Sequence, residues 1–326
     1  MGSNTIYSAA VAPAKTWHRP MTHFAAAMGV AAVLSAVGLV VDDRMLLGAP
    51  IWLKPFKFAV SIAVYCLTWA WLTSLLPSRR RRVANRISAA LIVLLAIEYL
   101  IIVVQAARGT TSHFNFTTPF NAVLFSIMGA SIALLWTGTL ALTVLLLKKG
   151  SNTGDHASTL AIRLGAVISL AGLALGALMT SPTADQTAQT AEGGLGRFIG
   201  AHTVGSPDGG PGMPITNWST TDGDLRIPHF VGMHALQVLP LLALGLAVLA
   251  RRVPWLRRDL VRTRLVLIGG AGYAGLVALV TWQALRGQPL TGPDALTTIC
   301  FALLGAGVAL ATASTIRAAR RQETHS

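Results

Sequence analysis

Residues 87–107 read ISAALIVLLAIEYLIIVVQAA, an apolar run interrupted at its middle by a single carboxylate, Glu98. The hydrocarbon core of a bilayer is ~30 Å thick and takes roughly 20 apolar residues to cross as a helix. A surface helix of a soluble domain would carry a charged and polar face along this whole length, whereas here the apolar residues run all round. The run therefore reads as a transmembrane helix. Arg79, Arg80, Arg81, Arg82 and Arg86 stand before it and Arg108 directly after it.

Seven further runs of similar length flank this one. Together they predict an all-α fold, a polytopic transmembrane helix bundle of about eight spans over 22–41, 51–76, 87–107, 120–147, 160–180, 230–250, 265–285 and 295–316. Composition agrees: 53% of the 326 residues are hydrophobic and 12% charged, and the apolar residues fall in long runs instead of short alternations.

A net charge of +14 in a soluble chain would point to nucleic acid. Here the positive charges sort by connection. Nineteen of the 26 Lys and Arg residues lie in alternate connections, and seven (Arg44, Lys54, Lys57, Arg108, Arg197, Arg226 and Arg286) fall on the opposite side. The positive-inside rule then puts both termini in the cytoplasm of a cell-membrane protein. The expected layout is one integral membrane domain: a cytoplasmic segment 1–21, spans one to five over 22–180, an extracytoplasmic lid-like loop 181–227, spans six to eight over 228–316 and a cytoplasmic tail 317–326. Its partners are the lipid bilayer and a hydrophobic small molecule, not nucleic acid. The first twenty residues lack signal-peptide character, and Cys66 and Cys300, each inside a span, predict no disulfide.

Cytoplasmic connections are short and basic, so function is sought at the outer face. The 181–227 loop exceeds a connector's length, and its Gly, Pro, Thr and Asp content, with Gly193 and Gly194 among the glycines, predicts turns over helices. Four helices descending from that face carry a proline near their start, Pro55, Pro119, Pro228 and Pro293. Their N-termini give that side a positive character suited to anions.

An ionised Glu98 facing lipid would cost several kcal/mol, so it must face inward, pair or hold a proton. Gln105, two turns on, shares its face, and Arg108 continues the stripe. On the second span Lys54, Lys57, Ser61, Tyr65 and Thr68 share one side. Lys57 either snorkels or pairs with a carboxylate such as Glu98, while Lys54 reads as a snorkelling residue. The segment 108–116 brings His113 and Asn115; the outer loop brings His202, Trp218, Asp222, Asp224 and Arg226; the sixth span opens with His229, His234 and Gln237.

Candidate acid–base groups are therefore Glu98, His113, Asp222, Asp224, His229 and His234. Candidate substrate contacts are Lys57, Tyr65, Gln105, Arg108, Asn115, His202, Trp218, Arg226 and Gln237, with Lys57, Arg108 and Arg226 holding an anionic group. The expected activity is acid–base chemistry on a lipid-soluble, isoprenoid-type substrate in a cavity open to the outer face, without a cofactor. In general character, a polytopic bundle using acidic residues, such a protein resembles the membrane-bound terpene cyclases. A second reading is an oxidoreductase holding haem or a divalent metal through His113, His202, His229 and His234. Against a shared metal, His229 and His234 lie about 140° apart on a regular helix. A third is a small-molecule or lipid transporter. No nucleophile elbow, phosphate-binding loop or dinucleotide fingerprint is present.

Overall fold

The computed structural model describes residues 14–151, 153–192 and 196–323. Most of the N-terminal segment, Gly193, Gly194 and the last three residues of the tail lie outside the described residues. The chain is an all-helical, multi-pass membrane protein. Among the described residues seven helices are long and apolar enough to cross a membrane, and a bent helix pair makes an eighth candidate.

The first half of the bundle comprises α1 (Arg19–Val41), α2 (Leu53–Ser74), α3 (Ser78–Ala107) and α4 (Pro119–Leu147). Pro119 occupies the first turn of α4, where its missing N–H costs nothing, and the Thr118 side chain accepts from the Asn121 amide. Between α1 and α2 lies a short hairpin, β1 (Met45–Leu46) with β2 (Ala49–Pro50). Its tip, Leu47 and Gly48, has positive φ at both residues, the geometry that matches strand twist in a two-residue turn. Trp69, Leu72, Leu91, Leu142 and Ile162 form the centre of the core.

The second half comprises α5 (His156–Leu175), the loop helix α6 (Ala184–Ala191), α7 (Arg226–Met233), α8 (Ala235–Leu249), α9 (Asp259–Leu285) and α10 (Ala295–Glu323). A 3-10 segment, Gly176–Thr180, extends α5. The single span expected over 230–250 is instead broken, with α7 and α8 meeting at 42° around His234. At the break, side chains of neighbouring helices take up α7 carbonyls, Ser169 Oγ donating to Met233 and the Tyr273 hydroxyl to Val231, and α5 packs closely beside it. A Cβ placed on Gly172 of α5 would lie 2.2 Å from the Gly232 carbonyl carbon, so the two backbones touch where only hydrogen fits.

The long loop holds more structure than its composition suggests. Thr183 and Gln186 form a reciprocal capping box that starts α6, and β3 (Thr203–Val204) pairs with β4 (Gly223–Asp224). The loop is tied to the segment after α3 by the Asn115–Phe198 bridge. It reaches the hairpin too: a Cβ on Gly48 would come within 2.9 Å of the Gly209 carbonyl oxygen.

At the opposite end, two arginines that read as topology signals also hold the fold. Arg80 donates to the carbonyls of Leu145, Lys148 and Lys149, which α4 leaves open at its C-terminus. Arg262, 2% exposed, donates to the Leu256 carbonyl and pairs with Asp155 at 2.8 Å.

Candidate functional site

A cavity of about 1090 Å³ lies at the end of the bundle that carries the long loop. Its bundle wall comes from the first turns of α2 (Lys54, Lys57, Phe58) and the last turns of α3 (Ile102, Ala106). The segment 110–114 and the loop residues His202, Asp208, Asn217 and Arg226 close it. The site thus joins the second span, the end of the third and the loop, elements widely separated in sequence.

Three groups carry its electrostatics. In the first, His202 Nδ1 meets Asp208 Oδ2 at 2.5 Å, and Asp208 also accepts from the His202 amide and from the Thr203 amide and hydroxyl. Burial acts to raise the Asp208 carboxyl, but the bonds from His202 and Thr203 prevail and hold it below the usual carboxylate range. Burial lowers His202 below its usual value, against the opposing pull of Asp208. A neutral His202 donates from Nδ1 to Asp208, which leaves Nε2 with a free lone pair.

In the second group, Lys54 Nζ donates to His113 Nδ1 at 3.0 Å, and the Ser112 hydroxyl lies at the same distance from that nitrogen. Burial, then the positive charge of Lys54, hold His113 well below its usual pKa, so the ring is neutral and accepts at Nδ1. Phe114 packs edge-on between the rings of His113 and His202, with centroids 5.9 and 5.0 Å away.

The third group fastens the loop. Lys57 Nζ donates to the Thr216 carbonyl at 2.7 Å, and Arg226 Nη2 donates to the Asn217 carbonyl at 2.6 Å. Arg226 also pairs with Asp224, which is fully buried. The held segment is bent sharply, since Ile215 and Asn217 have φ of 68° and 53°. A β-branched residue is rarely found there.

The remaining predicted residues lie elsewhere. Glu98 faces inward at 2% exposure, one turn from Ile102, and neither carboxylate oxygen has a hydrogen-bond partner. It is not paired with Lys57. Gln105, Arg108, Asn115 and Asn121 form a separate network with Thr117: Arg108 donates to Gln105 and Asn121, Gln105 to Asn121 and the Thr111 carbonyl. Arg108 itself is exposed and stacks on Phe120 at 4.7 Å.

Tyr65 is buried in the core and bonded to Thr139 at 2.7 Å. Asp222 accepts from Ser206 and Thr221 and shapes the turn beside β4. His229 lies against the Gly172 carbonyl at 2.9 Å, at the glycine crossing. His234 bonds Gln237, which bonds Thr68, so this chain links the helix break to α2. Trp218 packs on Phe230, which packs on His234.

The four histidines considered as metal ligands thus divide between two places, His113 and His202 at the cavity and His229 and His234 at the helix break. Among the described residues no three His, Cys, Asp or Glu side chains converge on one point as a metal would require. Sequence reasoning passed over Asp208, inside a glycine-rich run, and set Lys54 aside as a snorkelling residue. The His202-x5-Asp208 spacing carries no signal by itself, because it is the turn preceding Asp208 that brings the two together.

Fold and site define a multi-pass helical membrane protein with a charged cavity closed by a structured loop at one end of the bundle. No family model matches the chain, and no curated protein or solved structure matches it.

Proposed function

We propose that the protein is a membrane enzyme performing acid–base chemistry on an amphiphilic, lipid-soluble substrate in the loop-end cavity. The observation that carries this reading is the His202–Asp208 pair on the cavity wall, which leaves one imidazole nitrogen free to take a proton. A base so oriented, in a cavity with apolar walls at Phe58, Ile102 and Ala106, removes a proton from a bound substrate where water competes poorly. Glu98 lies one turn from the cavity residue Ile102 and serves this reading as a nearby proton reservoir, not as the group that touches substrate.

The test compares lipid extracts of membranes containing the wild-type protein or His202→Gln at matched expression. A compound that accumulates or disappears only with the wild type is the expected result. Identical extracts from wild-type and empty membranes, or an unchanged product with His202→Gln, would remove the assignment.

This reading includes an orientation, with both termini in the cytoplasm and the cavity opening to the outside. The sorting of nineteen of 26 basic residues to alternate connections supports it. A cysteine introduced at the exposed Thr187 of α6 should react with an impermeant maleimide in intact cells, whereas one at the exposed Arg252 should react only after lysis. The reverse pattern would invert the topology.

A further inference from the structure

The cavity holds more positive charge than its own carboxylates neutralise at contact. Arg226 is matched by Asp224 at 2.6 Å. Lys54 and Lys57 are different: neither has a carboxylate within 4.0 Å among the described residues, and each spends its ammonium on a neutral acceptor, His113 Nδ1 for Lys54 and the Thr216 carbonyl for Lys57. The carboxyl groups of Asp208 and Glu98 act on Lys54 only at longer range, and the positive charges of Lys57 and Arg226 oppose it more strongly. Two ammonium groups without counter-ions, one turn apart on α2 and lining the same cavity, constitute a site for an anion.

Charge and size narrow the ligand. A phosphate monoester carries about −1.5 to −2 at neutral pH and balances two lysines, whereas a carboxylate balances one. The cavity, at about 1090 Å³, lies just above the usual range of small-molecule sites, roughly 300–1,000 Å³, and is far larger than an inorganic ion needs. Beside the lysines, Phe58 and Ile102 offer an apolar wall.

We infer that the cavity takes an amphiphile with a phosphate-type head, the head held by Lys54 and Lys57 and the chain laid over Phe58 and Ile102. This rests on reading the cavity as a substrate site. It also gives the loop a part in binding, because an anion that draws Lys57 away releases the Thr216 carbonyl and with it one of the two ties on the bent segment around Ile215.

The experiment measures binding of dodecyl phosphate, inorganic phosphate, dodecanoate and dodecanol to the purified full-length protein in neutral detergent. Dodecyl phosphate should bind best, each of the others more weakly by about tenfold or more. Lys54→Met and Lys57→Met should each weaken dodecyl phosphate by about tenfold, Lys54→Arg and Lys57→Arg should retain most of the affinity, and Arg252→Met, an exposed site outside the cavity lining, should match the wild type. Inorganic phosphate binding as tightly as dodecyl phosphate would reduce the cavity to a site for free phosphate, and dodecanoate binding equally would refute the phosphate head. Methionine variants that fold and bind like the wild type would overturn the proposal outright; should they not fold, wild-type affinity that is insensitive to salt would do so. Failure of the enzymatic reading is separable: tight binding of dodecyl phosphate by the wild type without turnover in any extract removes the enzyme and keeps the anion site.

Discussion

Asp208→Asn should lower turnover of the native substrate by about 10²- to 10⁴-fold while the protein stays folded. The Asp208 carboxylate receives the His202 and Thr203 amides, the Thr203 hydroxyl and the His202 ring. An asparagine oxygen still accepts from the two amides, so the turn survives. It no longer supplies a charge to stabilise the imidazolium formed when His202 takes a proton, and its NH₂ group competes to reverse the ring tautomer.

The pH dependence supplies a second readout with a definite sign. His202 acts as a base only when neutral, and burial places its folded pKa below the ordinary value of 6.5. Wild-type activity should therefore persist at neutral pH and fall as pH drops through that lowered value. Removing the Asp208 charge removes the pull that raises it, so the acid limb should move to still lower pH. A pH–rate profile whose acid limb moves upward in Asp208→Asn, or a variant with undiminished turnover, would separate His202 from the chemistry.

The second large effect concerns stability. Asp224 has no exposed surface and accepts from the Ser219 amide at 2.8 Å and from the amide, Nε and Nη2 of Arg226. Asp224→Ala leaves two backbone amides without their acceptor, and the Arg226 guanidinium with only the Asn217 carbonyl, at the point where the loop enters α7. Breaking a buried pair from one side costs about 3–5 kcal/mol. Asp224→Asn, which keeps the shape and one acceptor, should cost less, and Asp224→Asn with Arg226→Gln should recover part of the difference. Unfolding in detergent followed by loss of tryptophan fluorescence would measure all three. A loss under about 1 kcal/mol for Asp224→Ala would show that the loop is held by other contacts.

The helical frame was legible because a bilayer imposes a length and a composition that apolar runs display directly. Residues whose positions follow from helical periodicity were placed correctly in space: Glu98 and Gln105 are both buried on one face of α3. Contacts that depend on where loops fold were not legible. The Lys54–His113 and His202–Asp208 pairs join residues whose proximity depends on turns, and the sequence around Asp208 signals only glycine-rich chain. The break at His234 was hidden because the contacts that surround it, the Gly172–Gly232 crossing and the Ser169 and Tyr273 bonds to α7 carbonyls, come from helices far away in sequence. The capping box at Thr183 and Gln186 was readable from its spacing, and the loop's overall composition obscured it.

Glu98 bears finally on how the chain is made. Each helix must leave the translocon for lipid before its neighbours are all in place, and a mid-helix acid opposes that step by an amount of the order of 2.5–3.5 kcal/mol. The dozen Leu, Ile and Val residues of 87–107 favour insertion by roughly 0.3–0.6 kcal/mol each, enough to offset it. The span that bears the buried acid is also the most apolar of the seven. Polar replacements elsewhere in 87–107 would then be felt first as failed biogenesis, in a helix that has already committed part of its hydrophobicity to carrying one carboxylate into the membrane.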